Sequence, residues 1–450
     1  MSSEAALPST DLPTDTNTDT DTGSPADPHR RRQLAILGGL LSVDNSESSL
    51  ITVLFPAIRK ALDVKLAGLG ALTAVSKLVG AFAGPMWVSV ARHRPRKQVL
   101  VLCCGAWGVF TAAAGLVQNY GQLVALVVVI SLGLAGGGPL TNGLIADLFD
   151  DRTRGRAAGA LYGIAFIGVG VMGPIFGALS HLHNGWRYGF LLSGLVQIGF
   201  GLATLVFLRD PGVGAAEGTP VAREVAAADS RGERARVKIL LGNRTFRVMC
   251  FQRLVTGQFV LLTFGPTFMV DDRGFSTAEA SLITVPVAVA YVAGTLLGGL
   301  LGDRAHHRRP RSGRIMVMQV AMFVYAPIGY ALTQFHWHQF GIYLALFALL
   351  AATQSVVPGV NRPIVMSVVA PEMRGTAFGI MLSAEAVGWA LTNLLTGIVG
   401  DAYSLQTAFL WFSVILMLAN GALFFGLYRP YARDAAALEA ALRAPLMETS

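Results

Sequence analysis

Two carboxylates interrupt the apolar stretch LLSVDNSESSLITVLFP, which runs from Leu40 to Pro56. Asp44, Glu47 and Ser48 are spaced i, i+3 and i+4, so a helix would place them on one face. At 1.5 Å per residue, Asp44 lies roughly 16 Å beyond Gln33, where the apolar run begins, and so near the middle of a bilayer core about 30 Å thick. An unpaired charge at that depth costs roughly 3 kcal/mol or more. These carboxylates must therefore pair, face water or carry a proton.

Two interpretations of this pair of acids remain open. In the structural one, Asp44 and Glu47 form ion pairs with Lys77, which reaches a similar depth in the next apolar run. In the chemical one, Asp44 or Glu47 carries a proton, because its hydration changes when the protein opens to one side of the membrane or the other. In both cases we expect Lys77 to be a salt-bridge partner rather than a substrate contact.

Three more charged residues fall inside apolar runs. Glu385 lies near the midplane, and we expect it to line a substrate cavity. Arg253 and Arg362 each lie about eight residues, roughly 12 Å, from one end of a run, so either could line the cavity or reach the membrane interface. Polar and aromatic residues that would line the same cavity, or merely pack, are Asn142, Tyr162, Phe166, Gln258, Asn361, Trp389 and Asn393.

Other site chemistries find little support. The H-x-H pairs at His181–His183 and His336–His338 have no carboxylate or cysteine companion, so we expect no metal site. The three cysteines lie inside apolar runs and indicate neither a disulfide nor a metal framework. A glycine-rich phosphate loop and a nucleophile–base pair are both missing from the sequence. We therefore expect no cofactor and no enzymatic activity.

The apolar runs themselves define the class of protein. Of 450 residues, 53% are hydrophobic and 14% are charged, and the apolar residues are gathered into runs of transmembrane length. Twelve such runs lie near 33–56, 66–90, 98–117, 121–147, 156–180, 188–208, 246–269, 276–301, 314–333, 339–368, 374–399 and 404–428. The sequence thus predicts an all-α, multi-pass protein of the lipid bilayer.

The net charge of +8 is a topology signal rather than a sign of nucleic-acid binding. Most Lys and Arg residues fall in alternate connections, such as HRRR before the first run and DRAHHRRPRSGR after the eighth. This asymmetry predicts that both termini are cytoplasmic, in a cell (plasma or inner) membrane. The Thr-, Asp- and Pro-rich segment 1–32 is predicted to be a disordered cytoplasmic tail.

The second half of the chain repeats the first. Arg154-Gly155 and Arg374-Gly375 are 220 residues apart, as are Arg209 and Arg429. The repeat predicts two six-helix bundles, 33–208 and 246–428, joined by a cytoplasmic linker, 209–245, and followed by a cytoplasmic tail, 429–450. Repeated halves with a site between them near the membrane midplane are the general plan of secondary transporters.

Several motifs make the resemblance specific. Three motifs resemble parts of major facilitator superfamily transporters. The loop after span eight in that family is matched by GLLGDRAHHRRPRSGR, and the entry and exit of span six are matched by GWRYGFLLSG and FLRDP. The resemblance covers residues 33–430. The resemblance implies two pseudo-symmetric bundles, alternating access, a small-molecule substrate and a monomer. It also implies that Asp303, Arg304 and Arg374 form a cytoplasmic gate.

Within the superfamily, GGGPLTNGLIADLFDDRTRGRA resembles Spinster-like and related bacterial efflux branches. An acid at this place in span one is functional in Spinster-like transporters, so the resemblance favours Asp44 over Glu47 as the proton carrier. The chain departs from the family in two places. The first-half loop has Ala91 or Arg92 where the motif has Asp, and span four has glycines where many drug/proton antiporters have an arginine.

Three functional hypotheses follow. The first is proton-coupled export of a small amphipathic compound, such as a drug-like metabolite or a lipid-like molecule, which the partial Gly-Pro motif GVGVMGPIFG of antiporters favours. The second is uptake of an organic anion, with Lys77, Arg253 and Arg362 binding the substrate. The third is a membrane sensor or scaffold that transports nothing, for which the sequence offers no sizeable soluble domain.

Overall fold

A computed structural model describes residues 28–149, 151–210, 233–370 and 373–447, and over these residues the chain is helical, without a β-strand. Residues 1–27 of the predicted disordered tail and 211–232 of the predicted linker lie outside the described ranges.

The first half contains six segments of membrane length. They are α1 (Pro28–Leu62), α2 (Leu66–His93), α3 (Arg96–Ala114), α4 (Tyr120–Ile145), α5 (Asp151–Leu179) and α6 (Gly185–Phe207). A π-helical turn, Val101–Ala106, interrupts α3. The polar groups that α1 carries into the bilayer are partly satisfied within the helix, because Asn45 and Ser46 donate to the carbonyls of Leu41 and Ser42 at 2.8 and 2.7 Å.

The second half repeats this order. Its segments are α7 (Arg244–Leu254 and Val260–Asp271), α8 (Thr277–Arg308), α9 (Gly313–Gln334), α10 (Phe340–Met366), α11 (Arg374–Ala402) and α12 (Leu405–Gly426). A short helix, Glu233–Gly242, precedes it, and an amphipathic helix, Tyr428–Met447, follows it.

Each of the twelve predicted apolar runs falls on one of these segments. Ten of the segments are long and apolar enough to cross a membrane. The two others are α1, whose hydropathy is lowered by its polar residues, and α7, which is unwound between Leu254 and Val260. Gly257 marks this break, because a Cβ there would come within 1.6 Å of the Phe412 carbonyl oxygen.

The two halves meet along α2 with α11 and along α5 with α8. We call the end where α1 begins and α12 ends the tail end, and the opposite end the far end. One apolar core cluster runs through both halves and includes far-end residues such as Phe55, Phe176 and Phe268. A second cluster, which includes Leu37, Leu100 and Leu144, lies wholly in the first half, toward the tail end.

Glycines let the backbones of the two halves approach closely at the far end. A Cβ on Gly70 of α2 would lie 2.5 Å from the Asn393 carbonyl oxygen of α11, and one on Gly397 would lie 2.7 Å from the Ala67 Cα. On the other side of the bundle, a Cβ on Gly177 of α5 would lie 2.0 Å from the Ser281 Oγ of α8. Small residues at such crossings give tight helix packing in membranes. The halves are therefore closed together at the far end.

Candidate functional site

Asp44 lies on the wall of a cavity of about 360 Å³ between α1, α2 and α4. Its Oδ2 accepts a hydrogen bond from the Cys104 thiol of α3 at 3.4 Å, and its buried Oδ1 has no partner among the described residues. α4 comes so close that a Cβ on Gly137 would lie 2.1 Å from Oδ2. A thiol is a weak donor, so the buried carboxylate of Asp44 has little hydrogen-bond compensation among the described residues.

Glu47, one turn further along α1, has a fuller set of partners. It is 4% exposed, and its carboxylate accepts from Gln197 Nε2 of α6 at 2.9 Å and from Thr111 Oγ1 of α3 at 3.3 Å. These bonds tie α1 to α3 and α6 within the first half. The two span-one acids therefore differ: Asp44 faces the cavity with few partners, whereas Glu47 is held by neighbouring helices.

The predicted ion pair between Lys77 and the span-one acids is wrong for this conformation. Among the described residues, no ion pair joins Lys77 to Asp44 or Glu47, although all three line the same cavity. The Lys77 ammonium instead lies 3.9 Å from the ring centroid of Trp389, across the boundary between the halves. The face of α2 that carries Lys77 points toward α11 more than toward α1, so a similar depth in the membrane does not bring these groups together.

A second cavity, of about 380 Å³, lies between the two halves. Two aromatic stacks border it: Phe166 on Tyr291, with centroids 4.7 Å apart, and Phe259 on Trp389, with centroids 4.0 Å apart. Of the described residues on its wall, Lys77 alone is charged. We call this space the interface cavity, and the one beside Asp44 the acid cavity. The two spaces share Asn45, Ser48 and Lys77.

Arg253 and Glu385 form an ion pair inside the second half. Arg253 Nη2 of α7 lies 2.7 Å from Glu385 Oε2 of α11, and the side chains are 9% and 15% exposed. Glu385 thus has a buried partner, which could not be identified from the sequence. Neither residue lines the two cavities directly, but Trp389 of the interface cavity lies one turn beyond Glu385 on α11.

The other predicted lining residues are placed in several ways. Phe166 and Trp389 line the interface cavity, whereas Asn142 and Tyr162 hydrogen-bond to each other at 2.8 Å on an exposed surface.

Three of the predicted lining residues are buried, and the side-chain oxygen of each has no partner among the described residues: Gln258, Asn361 and Asn393. Arg362 is exposed and lies about 140° around α10 from Leu349, which is also exposed, so the two residues are on different faces of the helix.

The predicted gate residues lie at the tail end, where their recorded contacts stay inside the second half. Asp303 lies 3.5 Å from Arg314, Arg304 is exposed, and Arg374 donates to the Met366 carbonyl at 3.0 Å. In the first half, Arg96 pairs with Asp147 and Asp210. These contacts do not join the halves.

Among the described residues, the ion pair and hydrogen bonds that join the halves lie at the far end, and the sequence analysis missed them. Arg59 of α1 pairs with Asp271 of α7. The Asp401 carboxylate of α11 accepts the backbone N–H groups of Leu66 and Ala67, at 2.8 and 2.7 Å. Asp401 therefore caps the first turn of α2 from the other half, a contact that only its place near the end of an apolar run could have suggested.

The arrangement is that of two bundles closed at one end around a central site, and comparison with known proteins assigns it to a family. Residues 36–331 and 256–448 match the family model described as the Major Facilitator Superfamily. The chain belongs to the Major Facilitator Superfamily. The resemblance predicted from the sequence is thereby confirmed, and with it a multi-pass membrane protein.

Two curated members of the superfamily illustrate its range. A probable sulfoacetate transporter of Cupriavidus necator is 26% identical over 272 residues, which cover 57% of this chain and 61% of that protein. The match thus spans less than two thirds of that relative. The multidrug resistance protein MdtG of Serratia proteamaculans is 26% identical over 349 residues, covering 76% of this chain and 79% of that protein. One is named a transporter and the other a multidrug resistance protein, and neither name is that of an enzyme, as the sequence analysis expects of this chain.

The fold is also that of a solved member of the superfamily. A bacterial homologue of the human lysosomal transporter Spinster, crystallised in an inward-facing and occupied conformation, aligns with a TM-score of 0.71 at 19% identity. The alignment covers 91% of this chain and 98% of that one. This likeness confirms the two-bundle architecture.

Proposed function

We propose that this chain moves small amphipathic organic anions across the cell membrane by proton-coupled alternating access, with its tail end in the cytoplasm. One observation carries the proposal: Lys77 stands where the acid cavity and the apolar interface cavity meet. An anionic group bound to this ammonium would leave the apolar part of the molecule between the two aromatic stacks. The proposal thus prefers the second of the two transport hypotheses drawn from the sequence.

The balance of donors around Lys77 supports an anion. Within the described part of the chain, the ammonium has no hydrogen-bond acceptor, and the Trp389 Nε1 is buried without a partner. A carboxylate or sulfonate would accept bonds from such donors, whereas a second cation would be repelled. The name of the sulfoacetate transporter, an anion carrier by that name, agrees with this chemistry.

Asp44 is the proposed proton carrier. It lies on the wall that leads to Lys77, it has one weak donor, and its second oxygen is unpaired. When the halves rock and the acid cavity meets the other side of the membrane, the water around Asp44 changes and its proton can leave. A proton and an anion that move together would be driven inward by a proton gradient with the acidic side outside the cell.

A matched set of probes tests the proposal in proteoliposomes of the full chain. Phenylbutyrate, phenylbutanol and phenylbutylamine share one apolar body and differ in charge. An acid-outside gradient should drive accumulation of phenylbutyrate and not of the other two, and a protonophore should abolish it. Asp44→Asn should abolish the driven accumulation while leaving exchange of phenylbutyrate across the membrane intact.

The control for charge recognition compares two lysines. Lys77→Gln should lose phenylbutyrate transport, whereas Lys60→Gln, at an exposed far-end position, should retain it. Equal transport by Lys77→Gln and wild type would disprove the proposal. So would failure of the gradient to drive any of three anions: phenylbutyrate, sulfoacetate and hexuronate, the last named in a Bacillus subtilis relative, the hexuronate transporter.

Export of an amphipathic compound is the second candidate. The two aromatic stacks beside the interface cavity and the MdtG relatives, which this chain matches over more than three quarters of its length, favour it. Here Asp44 would exchange a proton for the substrate. Cells that express the chain would accumulate less phenylbutylamine than control cells, and a protonophore or Asp44→Asn would remove the difference.

A further inference from the structure

The buried Arg253 guanidinium has N–H donors that lack a hydrogen-bond partner among the described residues. It is 8% exposed, and Nη2 donates to Glu385 Oε2 at 2.7 Å. Nε and Nη1 are buried and have no hydrogen-bond partner among the described residues. A guanidinium carries five N–H donors in a planar fork that suits two oxygens of one acid group. Arg253 is therefore placed to donate hydrogen bonds to the oxygens of a second acid group.

Glu385 stands between two cations from different helices. Arg253 contacts it from α7, and Lys77 of α2 lies close enough to interact with its charge. Tyr291 of α8 is also near both Glu385 and Arg253. Among the described residues, no ion pair joins Glu385 to Arg362 of α10, and the partner of Glu385 is Arg253. The place between Lys77 and Arg253 is thus held by a carboxylate of the protein itself.

This placement links the pair to the interface cavity. Trp389 lies one turn beyond Glu385 on α11, carries Lys77 on its ring and lines the cavity. Both members of the ion pair are slightly exposed, at 9% and 15%, although neither lines either cavity. An anion held at Lys77 and Trp389 would lie one turn of α11 from Glu385, the residue that Arg253 binds.

We infer that Glu385 is an internal competitor for the substrate, so that the carboxylate or sulfonate of an amphipathic anion replaces it on Arg253 and Glu385 leaves as the neutral acid. This inference rests on the proposed transport of anions. Arg253 becomes the specificity-determining residue for the acid group, and Glu385 becomes a proton site in addition to Asp44.

The exchange balances in charge. Before binding, the site holds the Arg253 cation and the Glu385 anion. A proton from the open side neutralises the Glu385 carboxylate, the Glu385–Arg253 bond breaks, and the incoming anion forms the new bond to the guanidinium. The site then holds one cation, one anion and a neutral acid, so binding at this site takes up one proton per anion, in addition to the proton that Asp44 carries.

The test measures binding of phenylbutyrate to the purified full chain as a function of pH. Uptake of one proton on binding makes the affinity change about tenfold per pH unit over the range in which Glu385 is ionised without ligand. Glu385→Gln keeps the shape and removes the charge. As the pH rises, the affinity of wild type should therefore fall by about a factor of ten more per pH unit than that of Glu385→Gln. At alkaline pH, Glu385→Gln should bind phenylbutyrate more tightly than wild type does.

Two other acids serve as controls. Glu47→Gln, in the hydrogen-bonded network of the first half, and Asp44→Asn should both keep the steeper pH dependence of wild-type binding. Thermal unfolding of each variant with and without phenylbutyrate shows whether it is folded and still binds. Arg253→Gln should weaken phenylbutyrate binding much more than phenylbutanol binding.

The outcomes separate the inference from the proposed function. If wild type binds phenylbutyrate and Glu385→Gln keeps the wild-type pH slope, or binds more weakly at every pH, the ion pair is structural and the inference is wrong. If wild type binds none of phenylbutyrate, sulfoacetate and hexuronate, the proposed function fails, and the inference fails with it.

Discussion

Removing the Asp401 carboxylate should open the far end of the transporter. Asp401 of α11 accepts the N–H groups of Leu66 and Ala67 at 2.8 and 2.7 Å. These groups belong to the first turn of α2, where Lys65 provides no side-chain cap. The bonds join the two halves, so they exist when the far end is closed and must break when it opens.

The size of the effect follows from helix capping. Loss of a capping side chain costs about 0.5–2 kcal/mol, and a carboxylate at a helix N-terminus adds about 0.3–1 kcal/mol through the helix dipole. Asp401→Ala should therefore destabilise the closed far end by about 1–3 kcal/mol. This corresponds to a shift of roughly 5–150-fold in the ratio of far-end-closed to far-end-open molecules.

Distances between spin labels at Lys60 and Tyr403 would report this ratio. Both positions are exposed at the far end, one in each half. Cys103 and Cys104 are buried, and the partly exposed Cys250 would first be replaced by serine. Asp401→Ala should enlarge the population with long distances. Asp401→Asn, which keeps one acceptor oxygen, should have a smaller effect.

Asp434 offers a matched control. Its carboxylate also accepts from a helix start, at Thr245 N (3.2 Å) and Oγ1 (2.8 Å), but both residues belong to the second half. Asp434→Ala should lower stability without changing the label distances. An unchanged distance distribution in Asp401→Ala, or an equal shift in Asp434→Ala, would refute the reasoning.

Three further substitutions test the packing. Gly70→Ala should also enlarge the long-distance population, because its Cβ would lie 2.5 Å from the Asn393 carbonyl oxygen of the other half. Gly105→Ala, whose Cβ would lie 2.5 Å from the Gly201 Cα within the first half, should instead lower the midpoint of thermal unfolding and leave the label distances as they are. Gln197→Leu removes the 2.9 Å donor to buried Glu47 and should lower the free energy of unfolding by about 1–3 kcal/mol. A Gln197→Leu variant as stable as wild type would show that Glu47 is protonated or solvated from elsewhere.

The architecture could be predicted from the sequence because membrane spans are read from local hydropathy. All twelve predicted runs fall on observed segments, including α1, whose polar residues lower its hydropathy. The break in α7 could not be read in this way. It depends on the contact of Gly257 with the Phe412 carbonyl oxygen, and the two residues are far apart in the chain.

The sequence predicted several residues of the site but not which of them contact each other. Spacing along a run gives the depth of a side chain but not the direction in which its helix is turned. Lys77 therefore has the depth of Asp44 and yet lies on Trp389. In the same way, Gln197 bonds Glu47 across 150 residues of sequence. Contacts between the halves such as that of Asp401 involve backbone groups, which leave no trace in residue types.

The layered contact of Phe259, Trp389 and Lys77 gives the protein an optical signal of its own. The Trp389 ring lies parallel to Phe259 on one side, with an interplanar angle of 3°, and faces the Lys77 ammonium on the other. A positive charge held against an indole ring shifts its fluorescence emission, and departure of that charge shifts it back. Of the six tryptophans in the chain, Trp389 lies on the wall of the interface cavity. Binding of a molecule that draws Lys77 away from the ring should therefore shift the tryptophan emission of the unlabelled protein.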